Sequence, residues 1–307
     1  MKKPGKYFRL LKKAAQAFVE DNALKLSASL SYYMAFALGP IILIVITMAG
    51  SIFNKEEVQT KVYGELSKLL GHEAALQIQT IIINTQGSHH STVGTIIGLV
   101  ALFFGATGVF AEIQDSINFI WSVKAKPQRG WLRFIINRLL SFSIIISMGF
   151  ILLVALVINA LMEIMSERLM RLFSEGTVYL FYIVNLLLIF IVITVLFAAI
   201  FRLLPDARIK WKDAFVGAAF TAVLFLIGKF LIGYYLGSSN IGIVYGTAAS
   251  IIFILLWVYY SSVILYFGAE FTRMYAIMIG GGILPDKTAV FIIKKEAREI
   301  PESHLDT

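Results

Sequence analysis

Residues 213–236, DAFVGAAFTAVLFLIGKFLIGYYL, run for 24 positions with one acid at the start, one lysine near the end, and no polar face between them. A helix this long extends about 36 Å at 1.5 Å per residue, enough to cross a hydrocarbon core of roughly 30 Å. A helix that is apolar on every side belongs in a membrane or a large core. The composition decides which: hydrophobic residues make up 58% of the 307-residue chain and charged residues 15%, far from the balance of a soluble domain. Five further runs have spanning length, at about 28–53, 93–117, 136–161, 178–201 and 248–271. The expectation is an all-α, polytopic membrane protein with six transmembrane helices. The first run starts near Ser27 and continues to Phe53, later and longer than the apolar part of a cleavable signal.

Charge sets the orientation. Of 27 Lys and Arg residues, 21 fall before the first run, after the second, after the fourth and after the sixth. Five lie in the alternate loops, and Lys229 sits within a span. The positive-inside rule therefore predicts both termini cytoplasmic in a multi-pass membrane protein. It also accounts for most of the net charge of +8 without nucleic acid as a partner. Membrane lipids, anionic ones above all, are the expected partner.

Outside the spans, residues 6–20 place Tyr7, Leu11, Ala14 and Phe18 on one helical face and Arg9, Lys12, Lys13 and Gln16 opposite. Such a helix can lie in the cytoplasmic interface or pack on the bundle. The domain reading is thus an interfacial helix over 1–26, a membrane domain over 27–275 with a helical extracytoplasmic loop at about 54–92, and a cytoplasmic tail over 276–307. In the loop, Val58, Val62, Leu66 and Leu69 have helical spacing; in the tail, a GGG stretch and Pro285 signal irregular chain.

Three stretches carry a family resemblance: DNALKLSASLSYYMAFALGP (21–40), GATGVFAEIQDSINFIWSV (105–123), and a third from Lys229 through Tyr235, Tyr245 and Gly246 to LLWVYYSSVILYFGAE (255–270). The chain resembles the YihY/BrkB family of bacterial inner-membrane proteins. Gly39, before Pro40, departs from the bulkier residue expected there. The resemblance implies a six-helix integral membrane protein. It also brings an older ribonuclease label that sits poorly with such a fold, and proposals of lipid or solute transport.

Signals for enzymatic chemistry are weak. The chain contains no cysteine, which excludes thiolate catalysis and sulfur-based zinc sites. His72 and Glu73 are followed by Leu76 and Gln77, so HExxH is absent, and His89 and His90 have no acid at ligand spacing. No phosphate loop occurs. The expectation is no metal, no cofactor and no catalytic residue.

Charged residues in or beside the spans are more informative. Glu112 and Asp115 share a face of the second span with Asn118; Asp21 precedes the first span, and Glu270 with Arg273 closes the sixth. With Lys25, Arg138 and Arg202 these form either ion pairs that fasten helix ends or a cytoplasmic gate, and Glu112 or Asp115 could take up a proton. Lys229 lies in the outer third of its span, where no carboxylate occurs in any run. It can snorkel outward, lose its proton, or face a wet cavity with Asn185 and Tyr182 as neighbours and await an anion carried by a substrate. Tyr235 lies beyond it.

Ser29 and Tyr32, with Ser27 and Ser31, suggest a polar path in the inner half of the first span. GxxxG patterns at 94–98 and 242–246 allow close helix packing, including with a second copy. These features point to a transporter or flippase for an anionic lipid or other anionic amphiphile, not driven by ATP. The alternative is a non-transporting scaffold for envelope assembly, and a ribonuclease or other hydrolase is least favoured.

Overall fold

The computed structural model describes residues 5–34, 59–60, 63–64, 76, 79, 108–126, 175–238 and 249–293. The expected span at 136–161, Arg138, Pro40, the four histidines and both GxxxG patterns lie outside them. The described residues are mostly helical: α1 (Gly5–Glu20), α2 (23–34), α3 (108–120), α4 (Glu175–Leu203), α5 (Trp211–Ser238) and α6 (Ala249–Met278). Three helices among them are long and apolar enough to cross a membrane, over Leu186–Leu203, Trp211–Ile232 and Ile254–Met278. They coincide with the runs read at 178–201, 213–236 and 248–271. The sixth run continues helically seven residues beyond 271, because Thr272 and Arg273 find protein partners there rather than lipid.

α5 packs along α4 on one side and α6 on the other. The α5–α6 seam is reciprocal: a Cβ on Gly217 would fall inside the Thr272 side chain, and one on Gly268 inside that of Thr221. Each threonine hydroxyl turns back to its own helix, Thr221 donating to the Gly217 carbonyl (2.8 Å) and Thr272 to that of Gly268 (2.6 Å). Each hydroxyl oxygen, the side-chain atom nearest the facing glycine, is therefore satisfied within its own helix. Between them Phe220 and Phe271 stack at 3.8 Å. The two helices use nearly the same pentapeptide here, GAAFT at 217–221 and GAEFT at 268–272, paired antiparallel about a local two-fold.

α1 ends at a tight elbow. Asn22 takes a left-handed conformation (φ 52°), one that Asn tolerates better than most residues, and α2 starts from its carbonyl. α1 runs antiparallel to the last turns of α6, with Phe18 edge-on to Phe267 and Leu10 buried with Phe271.

Two short antiparallel ribbons tie the chain beyond α6 to earlier loops. β1 (Val123–Ala125) pairs with β4 (Ala289–Phe291), and β2 (Ala207–Arg208) with β3 (Leu284–Pro285). The glycine stretch read as irregular tail is a compact stop. Gly282 adopts φ 78°, its N–H donates to the Ala276 carbonyl (2.9 Å), and the Gly281 N–H donates to Asp213 Oδ2 (2.8 Å). A side chain on Gly280 would displace that carboxylate.

Candidate functional site

Arg273 stands where the C-terminal ends of α1 and α3 converge on α6. Its Nη1 lies 3.4 Å from Asp21 Oδ2 and 3.7 Å from Glu270 Oε2, and its Nη2 donates to Ser122 Oγ at 3.1 Å. Asp21 is buried and Glu270 fully so. Local backbone explains the convergence. Asn22 and Ser122 (φ 56°) each end a helix in the left-handed region, and a helix C-terminus carries partial negative charge that favours a cation. One guanidinium thus serves two carboxylates and two helix ends, with a planar fork that lysine lacks. Lys25, read as another partner for the acids, is exposed, and Arg202 lies over the Trp211 ring at 5.8 Å.

α3 supplies a second polar seam. Asn118 Nδ2 donates to Asp206 Oδ2 (2.8 Å), the Asp206 N–H donates back to Asn118 Oδ1 (2.8 Å), and Gln114 adds a longer bond (3.3 Å). Trp121, buried beside it, donates from Nε1 to the Ala269 carbonyl at 3.1 Å. Ser116, buried on α3, lies beside the buried Tyr266 hydroxyl on α6. Asp115 is exposed. The pair read as one acidic face thus differs in burial, Glu112 half-buried and Asp115 exposed.

Lys229 is exposed on α5, between exposed Ile227 and Phe230, with Tyr234 and Tyr235 exposed further along. No ion pair or hydrogen bond reaches it among the described residues. Its neighbour Gly228 fits against Tyr260 and Ile264 of α6. Nine residues of α6, about 14 Å of helix, separate Ile264 from Arg273, so Lys229 and the Arg273 junction are distinct places.

Tyr182 and Asn185 belong to α4, but their side chains lie outside what is described. In α2, Ser27 donates to the Ala23 carbonyl (2.7 Å) and Ser31 to that of Ala28 (2.8 Å), so both hydroxyls are engaged by their own helix. Ser29 is half-buried and Tyr32 exposed, its ring edge-on to Tyr33.

Sequence reasoning passed over Asp206, Asp213, Ser122 and the Gly–Thr seam. The seam had a signal: small residues spaced by four in two apolar helices, within a pentapeptide that nearly repeats. Among the described residues, no three His, Asp or Glu side chains gather as a metal-binding group.

The family model described as Virulence factor BrkB matches residues 14–289, taking in α6, the Arg273 junction and the β2–β3 ribbon. The chain belongs to the BrkB family. Relatives of this BrkB-family chain include a UPF0761 membrane protein of Pseudomonas aeruginosa (strain LESB58), 29% identical over 260 residues that cover 83% of this chain and 60% of the relative. One from Ralstonia nicotianae is 26% identical over 264 residues, 85% of this chain and 57% of its own length. One from Janthinobacterium sp. (strain Marseille) is 24% identical over 302 residues, 94% and 67%. The chain thus spans about three-fifths of the length of the first of these relatives. No solved structure matches it. With three apolar helices of spanning length and relatives called membrane proteins, this member of the BrkB family is a membrane protein.

Proposed function

We propose that the chain moves an anionic lipid, or another anionic amphiphile, across the bacterial cytoplasmic membrane without ATP. In this reading it crosses six times with both termini cytoplasmic, as the Lys and Arg asymmetry indicates. Lys229 carries the proposal: an exposed ammonium within the length of an apolar span, with no ion-pair partner among the described residues. A cation at such depth is costly unless it reaches water or an anion. The anion that a bilayer supplies sideways is a lipid phosphate, and the exposed position of Lys229 leaves it open to that approach. Snorkelling and a laterally open cleft both present the ammonium to a headgroup. Tyr234 and Tyr235, nearer the helix end, suit headgroup depth, and Ser29, Tyr32, Tyr182 and Asn185 are the further polar groups assigned to the path.

The opposite end of α6 would act as the inner gate. Asp21, Glu270 and Arg273 join three helix ends, so a change of access there must rearrange that junction, with Glu112, Asp115 and Arg138 as its further charged members. With no nucleotide loop in the sequence, transport runs on a gradient or passively.

The test is transbilayer movement of a labelled phosphatidylglycerol in liposomes holding the parent chain, Lys229→Leu or Glu112→Gln. The proposal expects activity in the parent and a loss of at least tenfold in Lys229→Leu. Equal rates in all three remove the assigned roles. An inactive, folded parent favours the other reading, a scaffold for envelope assembly. The observation behind that reading is the tied end of the molecule, where two ribbons and the Arg273 junction hold five separate chain segments together.

A further inference from the structure

α1 has three faces, and among the described residues only one is packed against the protein. At 100° per residue, Leu10, Ala14, Ala17 and Phe18 share the side buried on α6 and α5. A second face holds Phe8, Leu11, Ala15 and Val19, all exposed, with Phe8 and Val19 each 72% accessible. The third face holds Arg9, Lys12, Lys13 and Gln16, also exposed, with Lys6 at its edge. A helix packed on a bundle in water would have two faces, one apolar and one polar. Here a second apolar stripe borders the basic face directly, and the helix lies along the terminal turns of a spanning helix.

We propose that this second stripe is seated in the anionic leaflet of the membrane that the chain itself spans. Phe8, Leu11 and Val19 enter the acyl boundary while Arg9, Lys12 and Lys13 hold phosphate headgroups. Charge complementarity selects this occupant. α1 carries four cations and a single acid, Glu20, at its far end, and an anionic surface attracts such a helix while its apolar side is buried. The ribbons beyond α6 repeat the chemistry, with Leu284, Phe291 and Ile293 exposed beside exposed Lys124, Lys126, Arg208 and Lys287. The seat bears on the Arg273 junction because only Asp21 and Asn22 separate α1 from α2, and Asp21 is itself a junction residue. The inference stands apart from lipid transport: α1 can sit on the leaflet whether or not Lys229 carries a headgroup.

The chain has no cysteine, so single-cysteine variants can be labelled cleanly. An environment-sensitive fluorophore is placed at Phe8→Cys, Leu11→Cys, Val19→Cys, Lys12→Cys and Gln16→Cys. The full-length protein is then reconstituted in phosphatidylcholine vesicles with and without phosphatidylglycerol. Stripe positions are expected to be quenched by brominated acyl chains and shielded from iodide, the more so with phosphatidylglycerol; positions 12 and 16 should show the reverse. Replacing Arg9 and Lys13 by glutamine should weaken the dependence on phosphatidylglycerol by about fivefold per residue in the seated-to-lifted ratio. Free iodide access to positions 8 and 19 in both lipids overturns the proposal. So does shielding that depends on protein-to-lipid ratio and not on anionic lipid, which would mark a contact between copies.

Discussion

Asp21 and Arg273, 252 residues apart in sequence, meet at 3.4 Å and join the elbow between α1 and α2 to the last turns of α6. Glu270, fully buried one turn earlier on α6, shares the guanidinium at 3.7 Å. Removing the cation of a buried, shared pair typically costs about 3–5 kcal/mol, because the carboxylates stay in a poor dielectric. Arg273→Met should therefore lower the thermal midpoint of the purified protein sharply. Arg273→Lys should recover only part of the loss, since one ammonium cannot span Asp21 and Ser122 as two guanidinium nitrogens do. Equal midpoints for parent and Arg273→Met would show that the junction is not structural.

Steric closeness makes a second prediction at the α5–α6 seam. Gly217→Ala forces a methyl into the space of Thr272, and overpacking of this kind typically costs about 1–3 kcal/mol. Thr272→Ala should relieve part of it, so the double variant should be more stable than the sum of the singles implies. Strict additivity in a denaturation cycle would contradict the described contact.

The Asn118–Asp206 pair is reciprocal, one bond in each direction and both 2.8 Å. Asn118→Leu removes both and leaves the Asp206 N–H to find a new acceptor, a loss of about 2 kcal/mol. Hydrogen exchange should quicken at Asp206 and at Asp286, whose N–H donates to the Asp206 carbonyl. Unchanged protection at both amides would argue against the pair as the organiser of this turn.

Asp286 gives a pH dependence. The Lys287 backbone N–H, and then the Arg208 side chain with Nε 2.6 Å away, hold its carboxyl below the ordinary carboxylate range. A group whose pKa is depressed by folding stabilises above its unfolded value, and that contribution disappears as pH falls through the folded value. The β2–β3 ribbon should thus be steady at neutral pH and loosen only under acid conditions, below the usual aspartate titration. Amide exchange over 284–291, followed from neutral to acid pH, should show this in the parent and a flat profile in Asp286→Asn. Loosening of the parent between pH 6 and 8, the range of an ordinary histidine, would assign the change to some other group.

Long apolar runs announced α4, α5 and α6, since a bilayer demands about 20 such residues and tolerates few exceptions. Asp21, Glu270 and Arg273 were also legible as a set, because charges at span ends need partners. Which cation would serve was not: Lys25, Arg138, Arg202 and Arg273 all stood close enough in sequence terms, and the choice depended on where α1 and α3 end. Those ends rest on single left-handed residues, Asn22 and Ser122, which leave little trace in composition. Gly280 and Gly281 read as loose chain because their reason lies 67 and 68 positions away, in the Asp213 carboxylate. Lys229 was visible as an anomaly in its span, but periodicity could not tell an enclosed lysine from the exposed one that α5 carries.

The most direct measurement compares, in the same reconstituted vesicles, the initial rates at which a labelled phosphatidylglycerol and a labelled phosphatidylcholine change leaflet. With Lys229 as the headgroup contact, the parent should favour the anionic lipid, Lys229→Arg should retain that preference, and Lys229→Leu should bring the ratio of rates toward one. A parent without preference, or a ratio that Lys229→Leu leaves unchanged, would contradict the assignment of this lysine to an anionic lipid.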